Sequence, residues 1–285
     1  MIYLESITLP NEDAEWKYRM SVQRTCYNTI YPFYTIIKTG LERLDFAPIT
    51  ILYGGNGCGK TSVLNVIAEK LMLRRSTPYN RSNFFSDYVN LCKTSIENDI
   101  PDKSRIITSD DVFEYMLDLR RLNDGIDSRK EELFSEWYDS RHSRLRVRSL
   151  DDYDSLKKQN AARRSTQSAF VREQVMDNVR EQSNGESAIF YFRQRIEADA
   201  LYLLDEPENS LCAERQTELA EYLEESARYI GCQLIIATHS PFLLAMRGAK
   251  IYDLDASPAT IRKWTELKNV REYYDFFKNH DGEFE

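Results

Sequence analysis

The sequence predicts an α/β protein in which one core carries an inserted helical lobe. Strand-length runs of apolar and β-branched side chains occur in two separate parts of the chain, at residues 49–53, 201–204 and 233–237. A glycine-rich turn follows the first run, and a helical pattern follows the turn. Between the two parts, residues 118–182 are charged, nearly free of glycine and helical in character. One α/β core with a helical insertion accounts for this arrangement.

In the first part of the core, residues 1–117, residues 1–60 are expected to be rich in strands. Alternating, aromatic or β-branched segments predict strands at residues 2–9, 31–38, 49–53 and 106–108. Apolar side chains recur at helical spacing in residues 62–73, which predicts a helix, and residues 112–117 predict the start of another. Residues 74–100 are polar and have no clear pattern.

The second part of the core, residues 183–285, returns to alternating strands and helices. Strands are predicted at residues 201–204, 233–237 and 251–254. A helix is predicted over residues 213–230, and Gly231 would end it. The aromatic segment at residues 273–277 is interpreted as packing against the core.

Residues 54–61 fit the pattern G-x-x-x-x-G-K-[ST] and predict a phosphate-binding loop. A glycine-rich turn between a strand and a helix points backbone N–H groups and a helix N-terminus at one place, where they bind phosphate. Lys60 would reach the β- and γ-phosphates of a nucleotide, and the Thr61 hydroxyl would bind Mg²⁺. The predicted phosphate-binding residues are Gly54, Gly55, Asn56, Gly57, Cys58, Gly59, Lys60, Thr61 and Ser62.

Two later strands end in polar side chains that suit phosphate chemistry. Residues 201–204 run into Asp205 and Glu206. A strand of this kind beside the loop strand would bring Asp205 to the Mg²⁺ shell and Glu206 to a place where it polarises an attacking water. Residues 233–237 lead to His239, which could bind a γ-phosphate or hold that water in line.

A third segment, Ser183-Asn184-Gly185-Glu186-Ser187, lies 22 residues before Asp205 and opens a helical pattern. A serine and a glycine at a helix N-terminus form another anion-binding place. The alternative is an ordinary helix start.

In this order, the loop, the serine-glycine segment, the Asp-Glu pair and the histidine resemble the ABC-type ATPase family. Within that family the chain is similar to small soluble AAA-family ATPases grouped with SMC and RecF proteins, and the likeness extends through Leu254. The resemblance implies a P-loop NTPase fold with an ABC-type core, in which a mixed sheet is flanked by helices. It also implies ATP and Mg²⁺ as ligands, and a head-to-tail homodimer in which Ser183 of one subunit covers the γ-phosphate held by the other.

The resemblance also implies a role for individual residues. Glu206 would be the catalytic base and His239 the switch histidine that follows it. The implied residues are, for catalysis, Glu206, His239 and Lys60; for metal binding, Thr61 and Asp205; and for the signature contact with the nucleotide, Ser183, Gly185 and Glu186.

The chain departs from the family pattern at three places. Gln182 and Asn184 replace the leucine and the first glycine of the signature, and Cys212 replaces the aspartate that usually ends the segment after the Asp-Glu pair. No glutamine occurs from residue 61 to 158, where the family places one that contacts the metal or water. Residues 109–111 are a weak substitute for that glutamine or, alternatively, an N-cap of the next helix.

Composition limits the class of protein. The net charge of −8 and the 29% of charged residues favour a soluble protein, and no apolar run approaches the roughly 18 residues of a membrane span. The N-terminus lacks the pattern of a signal peptide. Five scattered cysteines without a C-x-x-C pair favour reduced thiols, so the sequence predicts a cytoplasmic protein.

Residues 141–180 form a basic segment, with ten Lys or Arg side chains against five Asp or Glu. A basic lobe on an acidic protein could bind nucleic acid. The alternatives are a solvated helical face, or arginines that reach ATP across a dimer.

Three side chains near the loop are secondary candidates. The resemblance places an aromatic ring against adenine, which makes Tyr31 and Tyr34 candidates, with core packing as the alternative. Cys58 precedes a helix N-terminus, a position that lowers the pKa of a thiol, and is interpreted as incidental to the chemistry.

The leading hypothesis is a soluble Mg²⁺-ATPase whose ATP-bound dimer acts on a partner protein or on nucleic acid, with DNA repair or defence as settings. The alternatives are the ATP-binding subunit of a transporter and a nucleotide-gated binding switch with negligible turnover.

Overall fold

The computed structural model describes residues 1–22, 27, 29–142, 166–172, 175 and 184–284. The chain divides into two compact units, one of residues 1–113 and 184–285 and one of residues 114–183. The predicted site residues belong to the first unit, except Ser183, which lies outside the described residues.

The described residues form nine strands, numbered here in chain order. They are β1 (Leu4–Thr8), β2 (Arg43–Asp45), β3 (Ile49–Tyr53), β4 (Lys93–Ile96), β5 (Arg105–Thr108), β6 (Leu201–Asp205), β7 (Gln233–Thr238), β8 (Lys250–Asp253) and β9 (Thr260–Ile261). Six of them form one sheet in the order β5-β6-β7-β3-β8-β9. The first five of that order are parallel, and β9 pairs antiparallel with β8. The predicted mixed sheet is therefore confirmed.

The three central strands explain the apolar runs in the sequence. Every residue of β3, β6 and β7 is buried, because a parallel strand in the middle of a covered sheet has no solvent-facing side. The described helices are α1 (Glu12–Ser21), α2 (Lys60–Lys70), α3 (Phe85–Leu91), α4 (Ser109–His142), α5 (Gln167–Arg172), α6 (Asn184–Arg195), α7 (Ala213–Tyr229), α8 (Pro241–Leu244) and α9 (Lys268–Asn279). Helix α2 packs against β5, β6 and β7, and α7 packs against β7.

A smaller antiparallel sheet, in the order β2-β1-β4, lies beside the main sheet. The buried side chain of Gln233, the first residue of β7, joins the two sheets. Its Oε1 accepts from the backbone N–H groups of Tyr3 (2.8 Å) and Leu4 (2.9 Å), and its Nε2 donates to Leu4 O at 2.8 Å. These bonds satisfy a polar side chain that the core would otherwise leave unpaired.

The second unit has its own small core among the residues described there. Leu133 of helix α4 is buried against Phe170 and Val171 of helix α5. Residues 143–165 and most of 173–183 lie outside the described residues, and they include most of the predicted basic segment. No helix in the described ranges has the length and the apolar character needed to cross a membrane.

The structure corrects the sequence analysis at three segments. Residues 31–38 form turns and a 3₁₀ helix (Ile36–Thr39) instead of a strand, because Pro32 has no N–H for a ladder and Tyr34 N donates to the Glu15 carboxylate at 2.7 Å. Helix α3 and strand β4 lie in residues 74–100, where the sequence showed no pattern. The aromatic side chains at residues 273–277 do not pack against the core, since each is about half exposed.

Candidate nucleotide-binding site

The phosphate-binding loop connects strand β3 to helix α2. The loop turns through Gly57 and Gly59, whose φ angles are 82° and 100°, a region that glycine adopts without strain. Val63 N then donates to Gly59 O at 2.9 Å, so the first turn of α2 starts directly at the loop. This strand, turn and helix form the arrangement that binds phosphate, as the sequence predicts.

Lys60 is buried and held against the loop that it would serve. Its side chain is 4% exposed, and Nζ donates to Gly54 O at 2.8 Å and to Gly55 O at 3.1 Å. The same amine lies 3.7 Å from Glu206 Oε1. The cation is thus positioned between the loop and the predicted catalytic base.

Thr61 and Asp205, the predicted metal pair, are in direct contact. The Thr61 hydroxyl donates to Asp205 Oδ1 at 3.0 Å. The pKa of Asp205 is raised to about 6, chiefly by burial and also by Glu206 and Glu208, while Thr61 and Lys60 oppose the shift. The carboxylate therefore sits where a nearby cation would relieve its desolvation.

Asp205 reaches the loop from a strand that does not touch the loop strand. The prediction that these two strands lie side by side is wrong, because β7 lies between β3 and β6. Helix α2 bridges the gap, since it packs on β6 as well as on β7 and so carries Thr61 to the end of β6.

Glu206 has an unusual backbone conformation. Its φ is 48°, in the left-handed region that costs a non-glycine residue about 1 kcal/mol or more. Its N–H donates to Ala237 O at 2.8 Å, and Asn209 Nδ2 donates to its Oε2 at 3.3 Å. The structure therefore holds this carboxylate in one strained position at the end of β6.

His239 follows β7 and faces the same place. Its Nδ1 lies 3.8 Å from Glu206 Oε1 and 3.5 Å from Glu208 Oε1. The structure thus brings together five of the predicted site residues: Lys60, Thr61, Asp205, Glu206 and His239.

The signature residues stand apart from this group on helix α6. Gly185 and Glu186 lie in its first turn, and Glu186 Oε1 pairs with Arg215 Nη2 at 3.3 Å. A Cβ atom on Gly185 would lie 3.3 Å from Arg215 Cγ, so a small residue suits this position. Ser183 lies outside the described residues. The roles of the signature residues stay predictions.

A cavity of about 580 Å³ opens beside Thr61 and Ser62. Tyr31 is one wall, and its hydroxyl donates to Ser62 Oγ at 2.9 Å. Arg75, which the sequence analysis missed, lies with its guanidinium 4.0 Å from the ring centre of Tyr79 and bonds to Asn65. Burial lowers the pKa of Arg75 from its ordinary value. No motif marks this arginine, because only the fold returns residues 75–80 to the loop.

Residues 109–111 form the first turn of helix α4. Asp111 Oδ2 accepts from Thr108 N at 2.7 Å and from its hydroxyl at 3.0 Å, in the manner of a cap at the start of α4. Ser109 and Asp110 line the cavity together with Thr61 and Asp205. Their contact with a metal or water stays a prediction.

Asp255 is a second residue that the sequence analysis missed. Both of its carboxylate oxygens accept from Gly55 N, at 3.0 and 2.9 Å. Leu254 N donates to Tyr53 O at 2.9 Å and extends the pairing of β8 with β3 up to the loop. The two residues are 200 positions apart, so nothing in the local sequence points to this contact.

Cys58 behaves differently from the expectation. Burial raises the pKa of its thiol, and this effect exceeds the opposing effects of Lys60 and of backbone N–H groups. The thiol is half-buried inside the loop, where a carbon on Gly54 would approach its Sγ to 2.5 Å. The side chain fills space in the loop, which agrees with its interpretation as incidental to the chemistry.

The donors at the loop fit Mg²⁺ held jointly with a nucleotide. In the part of the chain that the structure describes, no group of three or more His, Cys, Asp or Glu side chains could hold a metal ion. Mg²⁺ usually takes one or two protein oxygens and completes its shell with water and phosphate oxygens. Thr61 Oγ1 and Asp205 Oδ1 supply such a pair.

The main sheet, the helices beside it and the loop after β3 form a P-loop type of α/β fold. A family model described as "AAA domain, putative AbiEii toxin, Type IV TA system" matches residues 178–245, which contain the signature segment, Asp205, Glu206 and His239. The predicted resemblance to ABC- and SMC-like AAA ATPases is confirmed. No curated protein gives a significant match.

Three solved structures are similar to the chain. An SMC head domain from Pyrococcus furiosus, with an extended coiled coil and bound to the C-terminal domain of ScpA, has 14% identity, covers 96% of this chain and 100% of its own, and gives a TM-score of 0.46. An inward-facing metal-chelate type ABC transporter has 16% identity, coverages of 80% and 76% and a TM-score of 0.39. A dimeric ATP-binding cassette with ADP and Pi has 11% identity, coverages of 79% and 90% and a TM-score of 0.35. At these scores the similarities carry no argument about activity or partners.

Proposed function

We propose that the protein binds Mg²⁺-ATP at residues 54–61 and hydrolyses it to ADP and phosphate. The convergence of four side chains supports this. Thr61 and Asp205 meet at 3.0 Å as a metal pair, and Lys60 Nζ lies 3.7 Å from Glu206 Oε1. A phosphate-binding cation, a metal pair and a carboxylate base are the parts that water attack on a γ-phosphate requires.

In the proposed mechanism the loop amides and Lys60 hold the β- and γ-phosphates. Lys60 exchanges its bonds with the carbonyls of Gly54 and Gly55 for phosphate oxygens. Thr61 and Asp205 would hold Mg²⁺, which would neutralise the charge that develops on the phosphates. Glu206, fixed by its strained backbone, polarises the attacking water and accepts its proton.

The cavity beside Ser62 is proposed to receive the nucleoside end of the ligand. Tyr31 is placed there by its hydrogen bond to Ser62, while Arg75 offers a cation and Tyr79 an aromatic ring. The cavity volume of about 580 Å³ lies in the range that is usual for small-molecule pockets, so a nucleoside can be accommodated. With this assignment, Tyr31 remains a candidate for the predicted aromatic contact with adenine. The residue lies in a turn and not in the predicted strand.

Head-to-tail dimerisation is proposed as the step that completes the site. The signature residues Gly185 and Glu186 begin helix α6, and a helix N-terminus suits the γ-phosphate held by a second copy. A partner protein, or nucleic acid bound through the basic segment at residues 141–180, is the proposed target of the ATP-driven change. A setting in defence is in keeping with the matched family description, which names a toxin-antitoxin system.

Nucleotide binding by loop variants tests the assignment. Lys60→Ala should weaken the binding of a fluorescent ATP analogue by about 100-fold, because the loop loses its only charge on the phosphates. Thr61→Ala should remove the part of the affinity that depends on Mg²⁺ and should bind as the wild type does in EDTA.

The matched control is Lys70→Ala at the other end of helix α2, where Lys70 Nζ bonds Val89 O. This variant should bind like the wild type. Equal affinity in Lys60→Ala and Lys70→Ala would contradict the assignment of the loop.

A further inference from the structure

The geometry points to Glu208 as the positioning residue for His239. We infer that Glu208 holds the backbone of residues 238–240 and keeps the proton of the neutral imidazole on Nδ1, so that Nε2 accepts a hydrogen bond from the attacking water. This inference rests on the proposed function, and it chooses between the two roles that the sequence left open for His239.

One oxygen of Glu208 accepts three hydrogen bonds at the end of strand β7. Its Oε1 accepts from the Thr238 hydroxyl at 2.6 Å, from His239 N at 3.1 Å and from Ser240 N at 3.3 Å. A carboxylate that accepts several bonds from consecutive residues fixes their backbone, because moving any one of them breaks charge-assisted bonds. Glu208 therefore sets where His239 leaves the sheet.

The second oxygen of Glu208 has no hydrogen-bond partner among the described residues. The side chain is 5% exposed, and its Oε2 is fully buried. Buried polar atoms in folded proteins are nearly always paired, either with protein groups or with water. Nδ1 of His239 is the ring nitrogen that approaches this carboxylate, at 3.5 Å from Oε1.

Glu206 and Glu208 contact different neighbouring groups. Glu206 Oε1 lies 3.7 Å from Lys60 Nζ, and its Oε2 accepts from Asn209. Its side chain is 27% exposed, so solvent screens its attraction for His239 more than that of Glu208. Glu208 is both closer to Nδ1 and more buried, which makes it the stronger determinant of the imidazole proton.

A carboxylate only accepts hydrogen bonds, and this decides the tautomer. A neutral imidazole that faces Glu208 through Nδ1 has to carry its proton there, which leaves Nε2 as an acceptor. An acceptor at Nε2 cannot donate to a γ-phosphate oxygen, but it can accept from a water. The arrangement therefore favours a role in holding the water.

Gln216 also connects the turn after β6 to the loop after β7. Its Nε2 donates to Leu211 O at 2.8 Å, and Ser240 Oγ donates to its Oε1 at 2.6 Å. Glu208 and Gln216 thus join the turn after β6 to the loop after β7 from both sides. A shift of the turn at Glu208 would move His239 with it.

The tautomer of His239 can be read directly by NMR. The chain has three histidines, so the ring nitrogens can be assigned by replacing each in turn. Long-range ¹H–¹⁵N spectra of the neutral ring, recorded without nucleotide, should show His239 protonated on Nδ1. Glu208→Gln should shift the ring toward the Nε2–H form, and Glu221→Gln, at an exposed position on helix α7, should not. Protonation of His239 on Nε2 in the wild type would overturn the inference, whatever the fate of the variant.

A double-mutant cycle tests whether Glu208 acts through His239. Glu208→Gln should lower kcat for ATP on the order of tenfold with little change in KM, and it should have no further effect when His239→Ala is already present. Equal effects in both backgrounds would overturn the role. The NMR test needs neither ATP nor turnover. Absence of ATP hydrolysis would therefore refute the proposed function, while the spectrum of His239 would still test its positioning by Glu208.

Discussion

At the level of single residues, the site contains two residues that lower the stability of the folded chain, one through burial of a charge and one through backbone strain. Asp205 is a carboxylate that is 8% exposed, and its main neutral partner is the Thr61 hydroxyl. Glu206 keeps a left-handed backbone that a side chain disfavours. Such features persist where the surrounding strands over-determine them, and they are common where a protein binds a ligand that relieves them.

Replacing Asp205 should separate stability from metal binding. Asp205→Asn removes a buried charge, so the free energy of unfolding without nucleotide should rise by about 1–3 kcal/mol at pH 7. The same variant should lose the Mg²⁺-dependent part of ATP affinity. Urea titrations and binding measurements with and without EDTA check the two effects. A variant that is less stable than the wild type would contradict the account of the Asp205 environment.

The pH dependence of this effect has a defined sign. The pKa of Asp205 is about 6 in the folded state and about 3.8 when the side chain is exposed, so the folded chain holds the proton more tightly. The contribution of Asp205 to stability therefore falls as the pH rises from about 3.8 to about 6, and stays low above that range. Wild type and Asp205→Asn should thus differ least at the acidic end of this window.

At the scale of elements, helix α2 organises the site. Its first turn carries Lys60 and Thr61, and the helix packs on β6 and β7, so it connects the loop to both Asp205 and the end of the His239 strand. Strand β7 lies between β3 and β6 in the sheet, so the strands alone would leave Asp205 apart from the loop. Leu64 and Ile67, which are fully buried, fix the helix on the sheet.

The cavity beside this helix gives an element-scale prediction. Arg75→Ala should weaken ATP binding by about three- to tenfold, because one charge-assisted contact to the nucleotide is lost. The neighbouring exposed Arg74→Ala is the control and should bind normally. Isothermal titration with ATP and with inorganic triphosphate checks the placement, and an equal loss for both ligands would indicate phosphate contact instead of nucleoside contact.

Local patterns predicted the elements whose residues interact with near neighbours in sequence. Strand β3 and the loop with helix α2 follow from runs of β-branched residues and from glycine spacing. Contacts that join distant residues had no such signal, as the bond between Asp255 and Gly55 and the bond between Tyr31 and Ser62 illustrate. Residues 31–38 have strand-like composition, yet Pro32 and the carboxylate of Glu15 turn the chain.

At the scale of the whole molecule, the site is proposed to be half of a composite one. Helix α9 begins beside it, since Asn269 donates through N to the Tyr53 hydroxyl (3.2 Å) and through Nδ2 to His239 O (2.8 Å). Ser109 and Asp110, the first residues of helix α4, belong to the first unit and line the cavity at Thr61.

ATP-dependent association is the prediction at this scale. With Glu206→Gln, which should retain ATP, light scattering should show a shift from monomer to dimer on addition of Mg²⁺-ATP, and Ser183→Arg should abolish the shift without weakening ATP binding. Gln182→Arg is an adjacent control with the same added charge, expected to have the smaller effect. A monomer under all conditions, with ATP bound, would contradict the composite site.

The central claim is that this site hydrolyses ATP with Glu206 as the base. The most direct measurement is phosphate release from Mg²⁺-ATP by the wild type and by Glu206→Gln, with ATP affinity measured in parallel. The wild type should turn over ATP, and the variant should turn it over at least 100-fold more slowly at nearly unchanged ATP affinity. Turnover by Glu206→Gln at the wild-type rate, or no phosphate release by a wild type that binds ATP, would contradict it.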